Sequence, residues 1–362
     1  MWYDDRIERG VKFHHDGRLR RIANAGNRAG GIISEGSVPM ELKNLEGLAA
    51  ILLTPFTADG KIDEAGVKHL VRAAIDKGLN GVVVLGSNSE FPYLRFEEKV
   101  RVMGAAAEAA AGKIPVIGTA SAWSTEQALD LAREAGNAGC NAVMAALPLY
   151  FRLDFKDAVK HFDAIAGQGG LPVYYYHFPD VTGLAVPPRD LARIAEIDGV
   201  IGAKITVVNR GFLKKTIQAA GKHKWKVFTG TSFLLYDCLE FGGAGAFCPL
   251  PLIGSEDVKA VYEAFKSGDL ARAKTMRDKL LRAIPLFTGA RLPPALLARG
   301  FKAMVRMPYR AGKRAFASHG LLKEALRLQG HPITSKVRRP YQEVNPQQHE
   351  LVKRTLEDLG WL

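Results

Sequence analysis

From residue 48 the chain alternates eight times between a short apolar run and an amphipathic stretch. The apolar runs are LAAILLT (48–54), GVVVLG (81–86), PVIGTA (115–120), NAVMAAL (141–147), LPVYYY (171–176), GVIGAK (199–204), WKVFTG (225–230) and AGAFC (244–248). Short continuous runs of this kind read as strands of a parallel sheet buried on both faces. The stretches between them carry helical spacing. In DEAGVKHLVRAAIDKG (63–78), Val67, Leu70, Val71 and Ala74 share one stripe, and Gly78 supplies a stop. STEQALDLAREAGNAG (124–139) opens with Ser124 three residues before Gln127, a capping-box pattern. Eight strand–helix units predict an α/β fold that closes as a (β/α)8 TIM barrel. The open doubly wound sheet, the other parallel architecture, predicts a glycine-rich phosphate turn after the first strand. TPFTADGKID (54–63) contains no G-x-G-x-x-G.

After residue 267 the strand pattern stops, and helical patterns continue over 268–283, 292–306, 316–328 and 346–359. The expected organisation is an N-terminal tail over 1–44, a barrel over 45–267 and a C-terminal helical appendage over 268–362. Residues 1–39 show no periodicity, and Met40 stands before the first patterned segment as an alternative start. No apolar h-region follows the N-terminal charges, and Asp4, Asp5, Glu8 and Asp16 among the arginines argue against a mitochondrial presequence. No apolar run is long enough to span a bilayer. Cys140, Cys238 and Cys248 fit no metal spacing and cannot pair completely, which points to a reducing, cytoplasmic setting. The net charge of +13 is concentrated: Arg291 to Arg339 hold twelve Lys and Arg against one acid, Glu324. A solvated helical face or a subunit contact is the expected reading. Nucleic acid is disfavoured, because Phe301, Tyr309 and Phe316 are the only aromatics interleaved with those charges.

In such a barrel the chemistry sits at the C-terminal ends of the strands. The polar residues there are Thr54; Ser87 and Asn88; Tyr150; Tyr176 and His177; Lys204 and Thr206; Thr231 and Ser232; and Cys248. Lys204 is the one cation, and no ring of carboxylates and histidines suits a divalent metal. A lysine among hydroxyls suggests Schiff-base catalysis. A free lysine, with a pKa of about 10.4, is neutral in about one molecule in a few thousand at pH 7, and a partly desolvated site frees its lone pair for attack on a ketone. The carbinolamine must then lose water, which calls for a proton shuttle, and Tyr176 ends the neighbouring strand. The bland alternative is a lysine that pairs with a carboxylate or reaches solvent. Strand alternation places Tyr174 and Tyr176 on one face and Tyr175 on the other. Gly202 and Ala203 are expected to leave room at the mouth for a substrate carbon on the lysine nitrogen.

These residues carry a resemblance. From about residue 47 to 362 the chain resembles the dihydrodipicolinate synthase/N-acetylneuraminate lyase family of class I aldolases. LLTPFTADGKID (52–63), GSNSE (86–90), PLYF (148–151), YHFPDVTG (176–183), GAKIT (202–206), FTGTS (228–232), GGAGAFC (242–248) and the C-terminal KVRRPYQEVNPQQHELVKRTLEDLGWL (336–362) match family segments in order. The resemblance implies Lys204 as the Schiff-base lysine and Tyr176 as its general acid/base. Ser87 and Tyr150 complete a hydroxyl relay, Tyr150 across a subunit contact. Asn88, in place of a family Thr, would hold a keto-acid carboxylate together with backbone N–H groups of the 86–89 loop. His177, Thr206, Thr231, Ser232 and Cys248 are expected around the substrate, with Phe178, Val181, Phe247 and Trp123 as walls. The implied enzyme is a lyase acting on pyruvate or a related 2-keto acid, with an aldehyde as second partner. It needs no cofactor beyond the covalent lysine adduct, binds no metal, and is a homo-oligomer, a dimer or dimer of dimers. Genuine 4-hydroxy-tetrahydrodipicolinate synthase activity is the alternative, and Val181, standing where the synthases place a substrate-binding Arg, disfavours it. An alternative of another class is a non-catalytic keto-acid-binding relative.

Overall fold

The computed structural model describes residues 42, 45–148, 151, 153–221, 223, 225–308 and 318–362. Tyr150 and nearly all of the expected N-terminal tail lie outside the described residues. Eight parallel strands close into a barrel in chain order, from β1 (Gly47–Ile51) through β2 (Gly81–Val83), β3 (Val116–Thr119), β4 (Ala142–Ala146), β5 (Val173–His177), β6 (Val200–Ile205) and β7 (Lys226–Thr229) to β8 (Gly245–Cys248). Strand β8 pairs back onto β1 with Gly47 opposite Gly245. The main helices of the ring are α1 (Glu64–Asp76), α2 (Phe96–Ala110), α3 (Thr125–Asn137), α4 (Phe155–Gln168), α5 (Pro188–Ala195), α6 (Arg210–Gly221), α7 (Leu235–Glu240) and α8 (Ser255–Lys266). They are followed by α9 (Leu270–Leu280), α10 (Pro294–Met304), α11 (His319–Leu328) and α12 (Pro346–Leu359).

Local chemistry sets the helix ends. Asp63 caps α1, its carboxylate accepting from Gly66 N–H at 2.9 Å; Val67, Leu70, Val71 and Ala74 are its buried stripe, and Gly78 takes the left-handed conformation past its end. Ser124 caps α3 by accepting from Gln127 N–H at 3.2 Å. The Gln127 side chain turns to Trp123 N–H, so only half of the capping box forms.

Two apolar layers result. The outer one joins helices to the backs of the strands, and the inner one fills the barrel with Ala49, Ile51, Val83, Ile117, Met144, Tyr174, Phe228 and Phe247. Three aromatics plug the interior: Phe228 stacks on Phe247 with centroids 4.0 Å apart, and Tyr174 meets Phe247 edge-on at 5.5 Å. Gly202 belongs to this plug. A Cβ there would lie 3.0 Å from the Tyr174 ring, so the glycine makes room for the barrel's own packing, and Ala203 faces the outer layer. This corrects the expectation that the two small residues clear space for substrate.

Candidate active site

At the mouth, β5 and β6 run in register with Tyr176 opposite Lys204. Lys204 Nζ lies 3.9 Å from the centroid of the Tyr176 ring, and both residues are buried. The Tyr176 hydroxyl shares a 3.2 Å hydrogen bond with Ser87 Oγ, which arrives from the loop after β2. Lysine, phenol and hydroxyl from three strand ends thus form one connected group.

A bulge aims the lysine. The pairing of β5 with β6 slips between Val173 and Tyr174, so Val173 faces Val200 while Tyr174 faces Gly202. Val200 packs in the outer layer and Ile201 against the inner one. Strict alternation from Val200 would send Lys204 outward among the helices. The extra residue, Ile201, shifts the parity so that Lys204 points inward and Ala203 and Ile205 take the outer face.

The loop after β2 is held rigidly. Leu85 and Glu90 bracket it in left-handed conformations, with φ of 63° and 61°, an uncommon backbone for bulky residues that persists only where surroundings enforce it. Between them Ser87–Ser89 make one 3-10 turn, whose first N–H groups, those of Ser87 and Asn88, precede its internal hydrogen bonds. Thr54 Oγ1 donates to Ser89 O at 2.7 Å, and Ser89 Oγ donates to Leu52 O. From the far end of the chain, Lys323 Nζ reaches Glu90 Oε1 at 2.5 Å in a fully buried pair, and Arg338 N–H donates to Glu90 Oε2 at 2.7 Å. Lys323 also donates to Lys336 O at 2.7 Å and sits 4.1 Å over the Phe56 ring. Burial pushes its ammonium down to about 8, the Glu90 carboxylate pulling the other way. The sequence reading passed over Lys323; its signal was a lone cation on the apolar face of GLLKEAL (320–326).

The remaining expected site residues divide. Asn88 is half-buried beside Ser87, and its Oδ1 accepts from Ser318 Oγ at 3.1 Å. The Thr206 hydroxyl is buried two residues beyond Lys204, with no partner among the described residues, in a space that a side chain at Gly230 would fill. Thr231 caps the turn Ser232–Leu234, accepting from Phe233 N–H at 3.3 Å. Ser232 and Cys248 are buried together near Lys204; burial pushes the Cys248 thiol up, and the neighbouring Ser232 and the lysine charge oppose that. His177 is a correction. It takes the outer parity with Tyr175, whose hydroxyl lies 2.7 Å from its Nδ1, and stacks flat on Phe212 at 5.3 Å. Enclosed between barrel and helices, where burial lowers its pKa to about 3, it braces the wall as a neutral ring. Of the expected walls, Phe178 stacks on Tyr176 at 5.7 Å and Val181 is exposed on the single turn Pro179–Thr182. Phe247 belongs to the interior plug. Trp123 borders a cavity of about 210 Å³ with Phe91, Phe96 and Lys99. Among the described residues no cluster of three or more His, Cys, Asp or Glu is placed to hold a metal.

A buried lysine beside a tyrosine and a serine stands at the C-terminal mouth of a (β/α)8 barrel, where barrel enzymes do their chemistry, and the known relatives make the class a lyase. The comparisons with known proteins give the family. The model of the dihydrodipicolinate synthetase family matches residues 44–300, and the chain belongs to that family. An uncharacterised DapA-like lyase of Halobacterium salinarum is 33% identical over 274 residues, covering 74% of this chain and 88% of that protein. The 4-hydroxy-tetrahydrodipicolinate synthase of Archaeoglobus fulgidus is 32% identical, covering 67% and 81%. Among solved structures, YagE, a prophage protein of the same family from Escherichia coli K12 in complex with pyruvate, superposes with a TM-score of 0.77. It is 24% identical and covers 88% of this chain and 99% of that one, which shows the shared fold.

Proposed function

We propose that this lyase forms a Schiff base between Lys204 and a short 2-keto acid, pyruvate or a close relative, and makes or breaks the adjacent C–C bond, or eliminates water. The observation that carries the reading is the connected Lys204–Tyr176–Ser87 group. The Lys204 lone pair attacks C2 of the keto acid and the carbonyl electrons move to oxygen. A proton passes from the lysine nitrogen to the oxygen, Tyr176 protonates the resulting carbinolamine hydroxyl, water leaves, and an iminium and the Tyr176 phenolate remain. The iminium then accepts the electrons of the C3–C4 bond as the Tyr176 phenolate takes the C4 hydroxyl proton and an aldehyde leaves, or it loses a C3 proton to that phenolate to give an enamine that attacks an aldehyde. Ser87, hydrogen-bonded to Tyr176, is the next hydroxyl of the relay. Tyr150 is proposed as the third hydroxyl of the relay, supplied by a second subunit. The N–H groups of Ser87 and Asn88, with the Asn88 amide, hold the substrate carboxylate. Thr206, Ser232 and Cys248 line the region around the lysine.

Val181 argues against aspartate semialdehyde as second substrate. The exposed valine offers no cation to a carboxylate at that position, where a charge-assisted pair contributes on the order of 1.5–3 kcal/mol. An aldolase or dehydratase with a neutral second substrate fits the residues better than the synthase reaction. The test is reduction with borohydride in the presence of pyruvate. A stable adduct on Lys204, absent from Lys204→Ala, is expected. Failure of a panel of 2-keto acids to label Lys204 sinks the proposal. A non-catalytic binder would be stabilised by a keto acid and turn nothing over, so cleavage, condensation and dehydration assays on the same panel separate the two.

A further inference from the structure

Asn88 finds its hydrogen-bond partner in the C-terminal region. Ser318 stands at the N-cap of α11, where a serine side chain ordinarily accepts from a first-turn N–H and stabilises the helix. Its hydroxyl makes no such bond. It is buried, at 3% exposure, and donates to Asn88 Oδ1 at 3.1 Å. Further along the same helix, Lys323 holds Glu90, two residues beyond Asn88. Helix α11 therefore grips the loop at two points, one polar and neutral, one ionic.

An asparagine amide carries an acceptor and a donor on the two sides of one carbon. With Oδ1 engaged by Ser318, Nδ2 is turned to the other side, and no acceptor among the described residues meets it. A hydroxyl side chain in this place would rotate to suit its ligand. An asparagine turned the wrong way would present its carbonyl oxygen, an acceptor, to a substrate carboxylate. An asparagine here therefore needs an orienting partner.

We propose that Ser318 is a positioning residue of the active site: it fixes the amide plane of Asn88 so that Nδ2 donates to the carboxylate of the 2-keto acid. The inference rests on the reading of the 86–89 loop as the carboxylate subsite. The measurement is the pyruvate concentration that half-saturates borohydride trapping on Lys204, in the full-length chain. Ser318→Ala raises it about 3- to 10-fold, the worth of one such hydrogen bond, and leaves the trapping rate at saturation within about twofold. Ser318→Thr restores it. In an Asn88→Ala background, Ser318→Ala adds no further rise. Asn88→Asp keeps an acceptor for Ser318 but faces the substrate with an anion, and raises half-saturation by more than about tenfold. An unchanged value in Ser318→Ala or in Asn88→Asp, or an equal rise in the Asn88→Ala background, overturns the inference while the Lys204 adduct stands. A parent enzyme that traps no 2-keto acid overturns both.

Discussion

At the residue scale the proposed chemistry rests on Lys204, Tyr176 and Ser87, and each makes a different prediction. Lys204→Ala should abolish both turnover and the borohydride adduct. Tyr176→Phe keeps the ring under Lys204 but removes the hydroxyl; kcat is expected to fall by about 10²- to 10⁴-fold, with a much smaller change in KM, in steady-state assays. Val181→Arg tests the second half of the pocket. Installing the missing cation should improve kcat/KM for a carboxylate-bearing aldehyde by about 10- to 100-fold over a neutral one of the same length. An unaltered preference would mean that Val181 does not face the second substrate. That Lys204 and Tyr176 meet at the barrel mouth was legible in the sequence, because each closes an apolar run and consecutive runs become neighbouring strands. The inward aim of Lys204 was not, because it depends on the bulge at Ile201, and no local pattern distinguishes a bulged GVIGAK from a regular strand. His177 was misjudged for a related reason. A residue at a strand end has two faces open to it, and the Tyr175 hydroxyl and the Phe212 ring draw this one outward.

At the scale of elements, α11 joins the C-terminal region to the barrel mouth through the buried Lys323–Glu90 pair. Removing one member leaves the other charged and enclosed. Lys323→Met should therefore destabilise the fold by about 3–5 kcal/mol in urea denaturation, and adding Glu90→Gln should recover part of that loss. Equal stabilities of the single and double variants would show that the pair is not coupled. The packing of α11 on α12 is pH-sensitive through Glu324. Arg327 binds its carboxylate at 2.7 and 2.8 Å and His349 Nδ1 lies 2.5 Å away, so the pKa is held at about 2. A carboxylate with a pKa depressed in the folded state stabilises fully above its unfolded value of about 4.5, and that contribution fades as pH falls from there toward 2. Because Arg327 is partly exposed, screening leaves on the order of 2 kcal/mol. Glu324→Gln should flatten the acid limb of the stability curve between pH 4.5 and 2. Helix positions here were read well from the sequence, since proline and periodicity mark them. Their contacts were not, because a partner more than 200 residues away leaves no local trace.

At the scale of the whole molecule, surplus charge and exposed apolar surface decide what the chain meets. Among the described cations of the basic stretch, Lys302 pairs with Asp278, Lys323 with Glu90, Arg327 with Glu324, Lys336 with Glu343 and Arg338 with Glu98. Four of these partners, Asp278, Glu90, Glu343 and Glu98, lie outside the stretch, so a count along the sequence overstated the free charge, and a nucleic acid would have to break those pairs. The exposed apolar side chains are where we place the second subunit that the proposed Tyr150 relay requires. Tyr93, Phe96, Trp123 and Phe151 are all exposed in the loops and helix starts that follow β2, β3 and β4, three neighbouring strands, and Phe96 and Trp123 border one cavity. Phe151 is also the residue next to Tyr150, the relay hydroxyl assigned to a second subunit. If the patch is the contact and Tyr150 crosses it, Trp123→Glu with Phe151→Glu should yield monomers in sedimentation velocity and lose activity while keeping the parent's circular dichroism. Complementation then separates assembly from chemistry. Lys204→Ala and Tyr150→Phe, each inactive alone, should regain part of the parent activity when co-refolded. In the mixed dimer one site has its own Lys204 intact and receives Tyr150 from the partner. No recovery on mixing, with mixed dimers shown to form, would place both hydroxyl and lysine in the same chain.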